Sequence, residues 1–469
     1  MIDNRTKIVA TLGPASNTLP VILKMVDAGM DVCRLNFSHG TIEEHGKLIH
    51  LVREASKKSG KTIAILQDLQ GPKIRVGALP SPIAVVKNEK IILTMVDKLR
   101  ALKKGLKQIP VQYKKLATDV SRGDRILIDD GGIELKVIAT TKTTITCRVI
   151  NSGTIKSKKG INVPTASISA PPLTKKDLRD LAVGIKHDVD FVALSFVREA
   201  NDIHKLRALL KKRGSKAHII AKIERHEAIK NLEAIIEASD AVMVARGDLG
   251  IEVKPETVPV LQKKIIRLAN MLGKPVIVAT QMLQSMIEQP RATRAEISDA
   301  ATAIFDHADA FMLSNETCVG KYPVSAVSTL RAVASSVESA LEHENKVLYF
   351  KEPPHAVTDI TCANACAIAH DMKAKYIVAV TKTGYTAREI AKHRSIIPII
   401  AFTPHEKVKQ HLALVWGVIK TFSCKKNPAT MVAFVKKTLM KEKLVRRGDK
   451  IVLCTAGQNA EQLTTTVRF

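Results

Sequence analysis

Six short segments combine charged, hydroxyl and amide side chains directly after apolar runs. They are Arg34-Leu35-Asn36-Phe37-Ser38-His39-Gly40, Asp68-Leu69-Gln70-Gly71-Pro72-Lys73-Ile74-Arg75, Lys222-Ile223-Glu224, Ala245-Arg246-Gly247-Asp248, Thr280-Gln281 and Ser314-Asn315-Glu316-Thr317. As one set they suit phosphoryl transfer, where positioning and charge neutralisation carry most of the catalysis. Glu224 and Asp248 offer two carboxylates to a hard divalent cation, Mg2+ or Mn2+; magnesium commonly takes only one or two protein carboxylates. The backbone amides of Gly247 and Asp248 can meet a substrate carboxylate, since glycine permits close approach. Lys222, Arg34 and Arg75 would face a transferring phosphoryl group. Singly, each residue is weak: a Lys or Arg at a strand end is more often a solvated or ion-paired surface group, and the same holds for His39. Their convergence on one end of one scaffold is what favours a site.

That scaffold is legible in the apolar runs. Lys7-Ile8-Val9-Ala10-Thr11-Leu12, Val32-Cys33-Arg34-Leu35 and Ile63-Ala64-Ile65-Leu66 read as strands separated by amphipathic stretches such as Val21 to Val26 and Leu48 to Val52. After an interruption the rhythm resumes at Phe191 to Leu194, Ile219 to Lys222, Ala241 to Val244, Val276 to Ala279 and Ala310 to Leu313. Three strands and five alternating with helices predict a (β/α)8 TIM barrel, whose site forms at the C-terminal strand ends.

The interruption, residues 70–164, loses the helical period. Arg125 to Ile128, Glu134 to Val137 and Ile145 to Val149 alternate, with a turn at Asp129-Asp130-Gly131-Gly132. It predicts an inserted all-β unit, a β-barrel lid, over the site. Residues 1–69 and 165–343 are assigned to the barrel. Residues 344–469 are assigned to a C-terminal α/β open-sheet regulatory domain, with strands at Tyr376 to Val380, Ile399 to Phe402 and Lys450 to Leu453; the boundary falls in Glu342-His343-Glu344-Asn345-Lys346.

A chain of 469 residues, 45% of them hydrophobic, can fill two or three cores. No apolar run reaches membrane-spanning length and Met1-Ile2-Asp3-Asn4-Arg5 does not open a secretory signal, so a cytoplasmic location without membrane contact is expected. The 7 cysteines are scattered; Cys362 and Cys366 sit one helical turn apart and read as packing residues rather than a metal site. The net charge of +28 raises a nucleic-acid partner, yet Lys103-Lys104 with Lys107 and Lys156-Ser157-Lys158-Lys159 lack interleaved aromatics, which total 3%. Stacking platforms are therefore scarce, and nucleic acid is disfavoured.

Thr6 to Ser16, Arg34 to Gly40, Ile219 to Glu224, Met243 to Glu252 and Ala279 to Met286 resemble, in order and spacing, the signatures of the pyruvate kinases. The resemblance spans essentially the whole chain. It implies phosphoryl transfer from phosphoenolpyruvate to ADP, giving ATP and pyruvate in glycolysis through a metal-bound enolate protonated at carbon by water relayed through Thr280 and Ser314. It further implies Glu224 and Asp248 as divalent-metal ligands, Lys222 as the phosphoryl-stabilising lysine, and Arg34 and Arg75 as phosphate contacts, with Asn36 and His39 beside the nucleotide. Thr280 would stand beside the substrate carboxylate and methylene carbon, and a homotetramer is the usual assembly.

Many family members bind potassium near residues matching Asn36, Ser38, Asp68 and the Leu69 carbonyl, and carry Glu where this chain has Lys73. An ammonium there supplies the missing charge, so K+ is not expected to be required. Gln70-Gly71-Pro72-Lys73 resembles the bacterial branch activated by AMP or sugar phosphates. Thr381-Lys382-Thr383-Gly384-Tyr385-Thr386 resembles the loop that receives the effector phosphate; the alternative is an ordinary polar turn, since Tyr385 stands where Arg is common. Two rival functions are a magnesium-dependent aldolase or lyase, which leaves Arg75 and the lid unexplained, and a basic nucleic-acid-binding protein built on a barrel.

Overall fold

The computed structural model describes residues 5–99, 107–344, 348, 356–424, 428–456 and 462–469. Lys103 and Lys104 of the basic run, Met1 to Asn4, and Asn345 and Lys346 at the expected boundary lie outside the described residues.

Eight parallel strands close a barrel in sequential order: β1 (Lys7–Thr11), β2 (Val32–Asn36), β3 (Ala64–Asp68), β4 (Phe191–Leu194), β5 (His218–Ile223), β6 (Ala241–Ala245), β7 (Val276–Ala279) and β8 (Ala310–Leu313). Each is rich in β-branched and small apolar residues because both faces are covered, one by the helices and one by the barrel interior. Inside, Val9, Leu66, Phe191, Ile220, Met243 and Ile277 pack together, and Leu414 of the C-terminal domain joins them from below. Three of the surrounding helices begin at a Thr whose hydroxyl accepts the amide three residues on while an acidic partner caps back: Thr41 with Glu44, Thr174 with Asp177 and Thr293 with Glu296.

The base of the barrel is stapled. Asp31, Asp190, Asp240 and Asp309 directly precede β2, β4, β6 and β8. Each carboxylate accepts an amide of the strand before: Ile8 at 2.9 Å, Ile65 at 2.7 Å, Ile219 at 2.8 Å and Val276 at 3.0 Å. Cations neutralise them: Lys7, Arg53 with Lys407, Arg207, and Arg394 respectively.

Between β3 and β4 the chain forms a seven-stranded sheet and a two-stranded one, packed around their own apolar cluster. The edge strands Ile74–Arg75 and Lys107–Pro110 meet through a Val76 to Val111 bridge, so the larger sheet curls towards closure. The expected turn joins Ile128 to Ile133, with Asp129, Asp130 and Gly131 all left-handed. The C-terminal domain is a five-stranded sheet; beyond the three expected strands it contains Val418–Ser423 and an antiparallel edge strand, Gln462–Arg468. Cys362 and Cys366 are buried on one helix, and burial pushes both thiols up, as fits packing residues.

Candidate active site

The C-terminal ends of β3, β4 and β5 converge on a buried cluster. Lys222, at the end of β5, places its ammonium 2.8 Å from Glu224 Oε1, 3.4 Å from Asp68 Oδ1 and 2.9 Å from Ser195 Oγ. Ser195 Oγ in turn donates to the Leu69 carbonyl at 2.7 Å, and the Phe196 amide donates to Glu224 Oε2 at 2.8 Å. Asp68 also receives both Nε and Nη2 of Arg34, at 2.9 and 2.6 Å, while Arg34 Nη1 donates to Thr11 Oγ1 at 2.9 Å. Burial alone would raise Asp68, but Lys222 and Arg34 overcome it and hold the carboxyl below its ordinary range. Burial likewise works against the Lys222 ammonium, yet Asp68 and Glu224 outweigh it and push its pKa up, so it stays charged.

Glu224 behaves oppositely. Burial, with the nearby Asp248 carboxylate, pushes it up despite Lys222. Its Oε1 is buried and, among the described residues, accepts no hydrogen bond beyond the Lys222 ion pair. A lone pair left open on a carboxylate that repels its neighbour is the arrangement a hard cation relieves, so Glu224 and Asp248 fit a divalent metal.

Asp248 lies in the first turn of the helix Arg246–Glu252, which starts directly after β6. The Gly247 amide donates to Thr280 Oγ1 at 2.9 Å. Thr280 and Gln281, after β7, have φ of 71° and 53°; a left-handed β-branched residue is costly, and such backbone clusters at working sites. Arg246 Nη1 donates to both carboxylate oxygens of Asp299, while its Nε and Nη2 donate to the Ala279 and Thr280 carbonyls. A cleft of about 720 Å³ runs here between Lys73, Gly247, Asp248 and Gln281. Lys73 reaches over from the inserted unit to within 3.9 Å of Asp248.

On the other side a second cleft, about 750 Å³, is lined by Gly13, Arg34, Asn36, His39 and Ser314 among others. Asn36 Oδ1 accepts the Ser38 amide and the Ser314 amide donates to Glu316. Arg75 stands apart: its Nη1 donates to the Lys158 carbonyl within the inserted unit. In the C-terminal domain Thr381 Oγ1 accepts the Gly384 amide at 2.9 Å, Lys382 and Thr383 are exposed, Thr386 is buried, and Gly384 has φ of 83°.

Ser195, Phe196 and the hydroxyl of Thr11 were not singled out from the sequence. Ser195 follows Val192-Ala193-Leu194 directly and so occupies the same strand-end position as the six segments.

Fold and site together define a β/α-barrel enzyme with a capping β unit, its cations and carboxylates gathered at one mouth. Two family models match, "Pyruvate kinase, barrel domain" over residues 3–327 and "Pyruvate kinase, alpha/beta domain" over 359–467. Pyruvate kinases of Geobacillus stearothermophilus and Bacillus licheniformis are each 44% identical to it, over 97% and 99% of this chain and 78% and 79% of theirs. A crystal structure of a pyruvate kinase from Cryptosporidium parvum superposes with a TM-score of 0.91 at 35% identity, covering 99% of this chain and 96% of that one. The chain belongs to the pyruvate kinase family, and its activity is that class's phosphotransfer. Among the described residues no helix is long and apolar enough to cross a membrane.

Proposed function

We propose that this chain transfers the phosphoryl group of phosphoenolpyruvate to ADP at the mouth formed by β5, β6 and β7, with Lys222 at the phosphoryl group. The observation that carries the reading is the buried Lys222, Glu224 and Asp68 cluster flanked by a cleft on each side. Glu224 and Asp248 would hold the divalent metal, Mg2+ or Mn2+, whose charge would offset that of the substrate oxygens. Lys222, kept cationic by Asp68 and Glu224, stabilises the phosphoryl group as the bond from phosphorus to the enol oxygen breaks and one to the ADP oxygen forms. Arg34, Asn36 and His39 line the nucleotide side, and Arg75 joins them when the inserted unit closes. The enolate left behind takes a proton at carbon beside Thr280, through water relayed with Ser314. Gly247 and Asp248 amides receive the substrate carboxylate, which displaces the Thr280 hydroxyl from the Gly247 amide.

Lys73 substitutes for potassium, a reading supported by its approach to Asp248. The residues of the alternative cation site already have protein partners: Asn36 holds the Ser38 amide, Leu69 holds Ser195, and Asp68 holds Arg34. The loop from Thr381 to Thr386 receives the phosphate of an activator of the AMP or sugar-phosphate class, supported by exposed Lys382 and the left-handed Gly384 at a helix start. Residues 1–69 with 165–343, 70–164 and 344–469 act as three domains of a cytoplasmic homotetramer; the division is supported by an apolar cluster centred on each, that of the inserted unit also taking in Ala166, Ile168 and Ala170.

The experiment supplies phosphoenolpyruvate, ADP and magnesium without potassium and follows pyruvate through lactate dehydrogenase. Turnover is expected, lowered about a hundredfold or more in Lys222→Ala and made potassium-dependent in Lys73→Glu. Strong stimulation of the unaltered protein by potassium over tetramethylammonium would overturn the Lys73 reading alone. Equal turnover with Lys222→Ala would overturn the site.

A further inference from the structure

The eight-residue helix Tyr385–Lys392 starts at the Thr381 to Gly384 loop, and its Arg388, Ala391 and Lys392 face a small pocket shared with Asn270, Lys274 and Asp309 at the base of the barrel. Two residues past its end the backbone turns left-handed at Arg394, φ 53°. The guanidinium that this turn projects is buried, and its two terminal nitrogens are engaged at the floor of β8, while Nε has no hydrogen-bond partner among the described residues. Nη1 donates to Asp309 Oδ1 and Nη2 to Asp309 Oδ2, both at 3.0 Å; Nη2 also reaches Asn270 Oδ1 at 2.6 Å and the His307 carbonyl at 2.8 Å. Nη1 additionally donates to the Ala391 carbonyl in the last turn of its own helix, at 3.2 Å. One side chain thus grips the helix that leaves the loop and the carboxylate that staples β7 to β8.

From Asp309 the strand runs without interruption to Ser314, about 16 Å away at 3.3 Å per residue, and Ser314 lines the second cleft with Arg34 and Asn36. Strand and barrel core are close-packed, so a displacement at the floor is carried along the strand rather than absorbed. The planar, two-pronged geometry makes the contact directional, which a lysine could not reproduce.

We propose that Arg394 and Asp309 form a joint through which the C-terminal domain sets the position of β8, and with it the nucleotide side of the site. Arg394 is a positioning residue, some 16 Å from the chemistry. That an anion on the 381–384 loop acts through this joint rests on the reading of the loop given above; the link between the joint and the nucleotide cleft does not.

The molecule contains its own reporter. Trp416 is the single tryptophan of the chain. Its ring lies 5.0 Å from the Arg394 guanidinium and its amide points to Asp309 Oδ1 at 3.4 Å. In the full-length protein, titration with Mg-ADP should change Trp416 fluorescence, and AMP or glucose 6-phosphate should do the same. Arg394→Lys and Asp309→Asn should lose the ADP-induced change. They should also raise KM for ADP about fivefold or more, the low end of usual coupling between sites, while KM for phosphoenolpyruvate, held on β5 to β7, stays within twofold. A destabilised but uncoupled protein would instead lose melting temperature and keep both KM values. Mg-ADP that binds by calorimetry with no fluorescence change, together with an unaltered KM for ADP in both variants, overturns the joint. If Mg-ADP gives the signal and neither phosphorylated probe binds, the joint stands and the activator loop falls; if a probe binds and activates Arg394→Lys as fully as the parent, the loop stands and the joint is overturned.

Discussion

Ser195 illustrates how little at the residue scale separates a working group from an ordinary one. Its hydroxyl ties the Leu69 carbonyl to the Lys222 ammonium, so it fixes where that charge points without touching substrate. Ser195→Ala should lower kcat by about tenfold or more, a charge-assisted hydrogen bond being worth roughly 1.5–3 kcal/mol, with little change in melting temperature; a kcat within twofold of the parent would show that Glu224 and Asp68 position Lys222 unaided. In sequence Ser195 is one serine after one strand, and nothing local sets it apart. Lys222 and Glu224 were legible because two charges interrupt an apolar strand, which a core would reject unless they were paired. The pairing of Lys222 with Asp68, far away in sequence, was not, because it takes the ladder of β3 with β4 across the inserted unit, and that of β4 with β5, to bring the two strand ends together.

Elements were read from periodicity, and that succeeded where both faces of a strand are buried. The runs at Phe191–Leu194, Val276–Ala279 and Ala310–Leu313 coincide with strands end to end. Periodicity carries little signal where burial is one-sided or brief. Gln462–Arg468 has only two large apolar residues and pairs at an edge, and the inserted unit holds three-residue strands such as Ile83–Val85 and Gly153–Ile155 that are too short to show a period. Helix starts carry a clearer signature. At Thr293 the hydroxyl accepts the Glu296 amide, and Glu296 returns bonds to Thr293 and to Ser285 amide and hydroxyl. Thr293→Ala should therefore cost about 1 kcal/mol, read as a lowered urea midpoint at unchanged slope; a change in slope would mean a broader rearrangement than a lost cap.

At the scale of the whole molecule, the seam beneath the barrel is where pH should act. His218, the first residue of β5, stacks on His411 of the C-terminal domain with ring centroids 3.4 Å apart. Burial drives His218 down to about 4, with Asp240 opposing and Arg388 assisting; burial, His218 and Lys407 drive His411 down to about 2. Both are neutral in the fold and take up protons more readily when unfolded, where their pKa is 6.5. Stability from the seam is thus complete above pH 6.5 and falls as pH drops through about 4. The melting temperature of the parent should decline more steeply between those values than that of a His218→Gln, His411→Gln double variant. Parallel curves would mean the stack contributes no titration. None of this seam is legible in the sequence, since His218 and His411 are nearly two hundred residues apart and no local pattern links them.

The four aspartate staples close β1 on β2, β3 on β4, β5 on β6 and β7 on β8, and none spans the boundaries between those pairs. A ring fastened this way is built of quarters. Loosening one staple frees two strands and leaves the other six held, so amide exchange should spread through the barrel in steps of a strand pair rather than one strand at a time. Catalysis draws on several quarters at once: Asp68 belongs to the second, Lys222 and Asp248 to the third, Thr280 and Ser314 to the fourth. The active mouth is therefore assembled only when separately fastened parts are all shut, and a defect at the floor of any one of them reaches the chemistry as a missing wall.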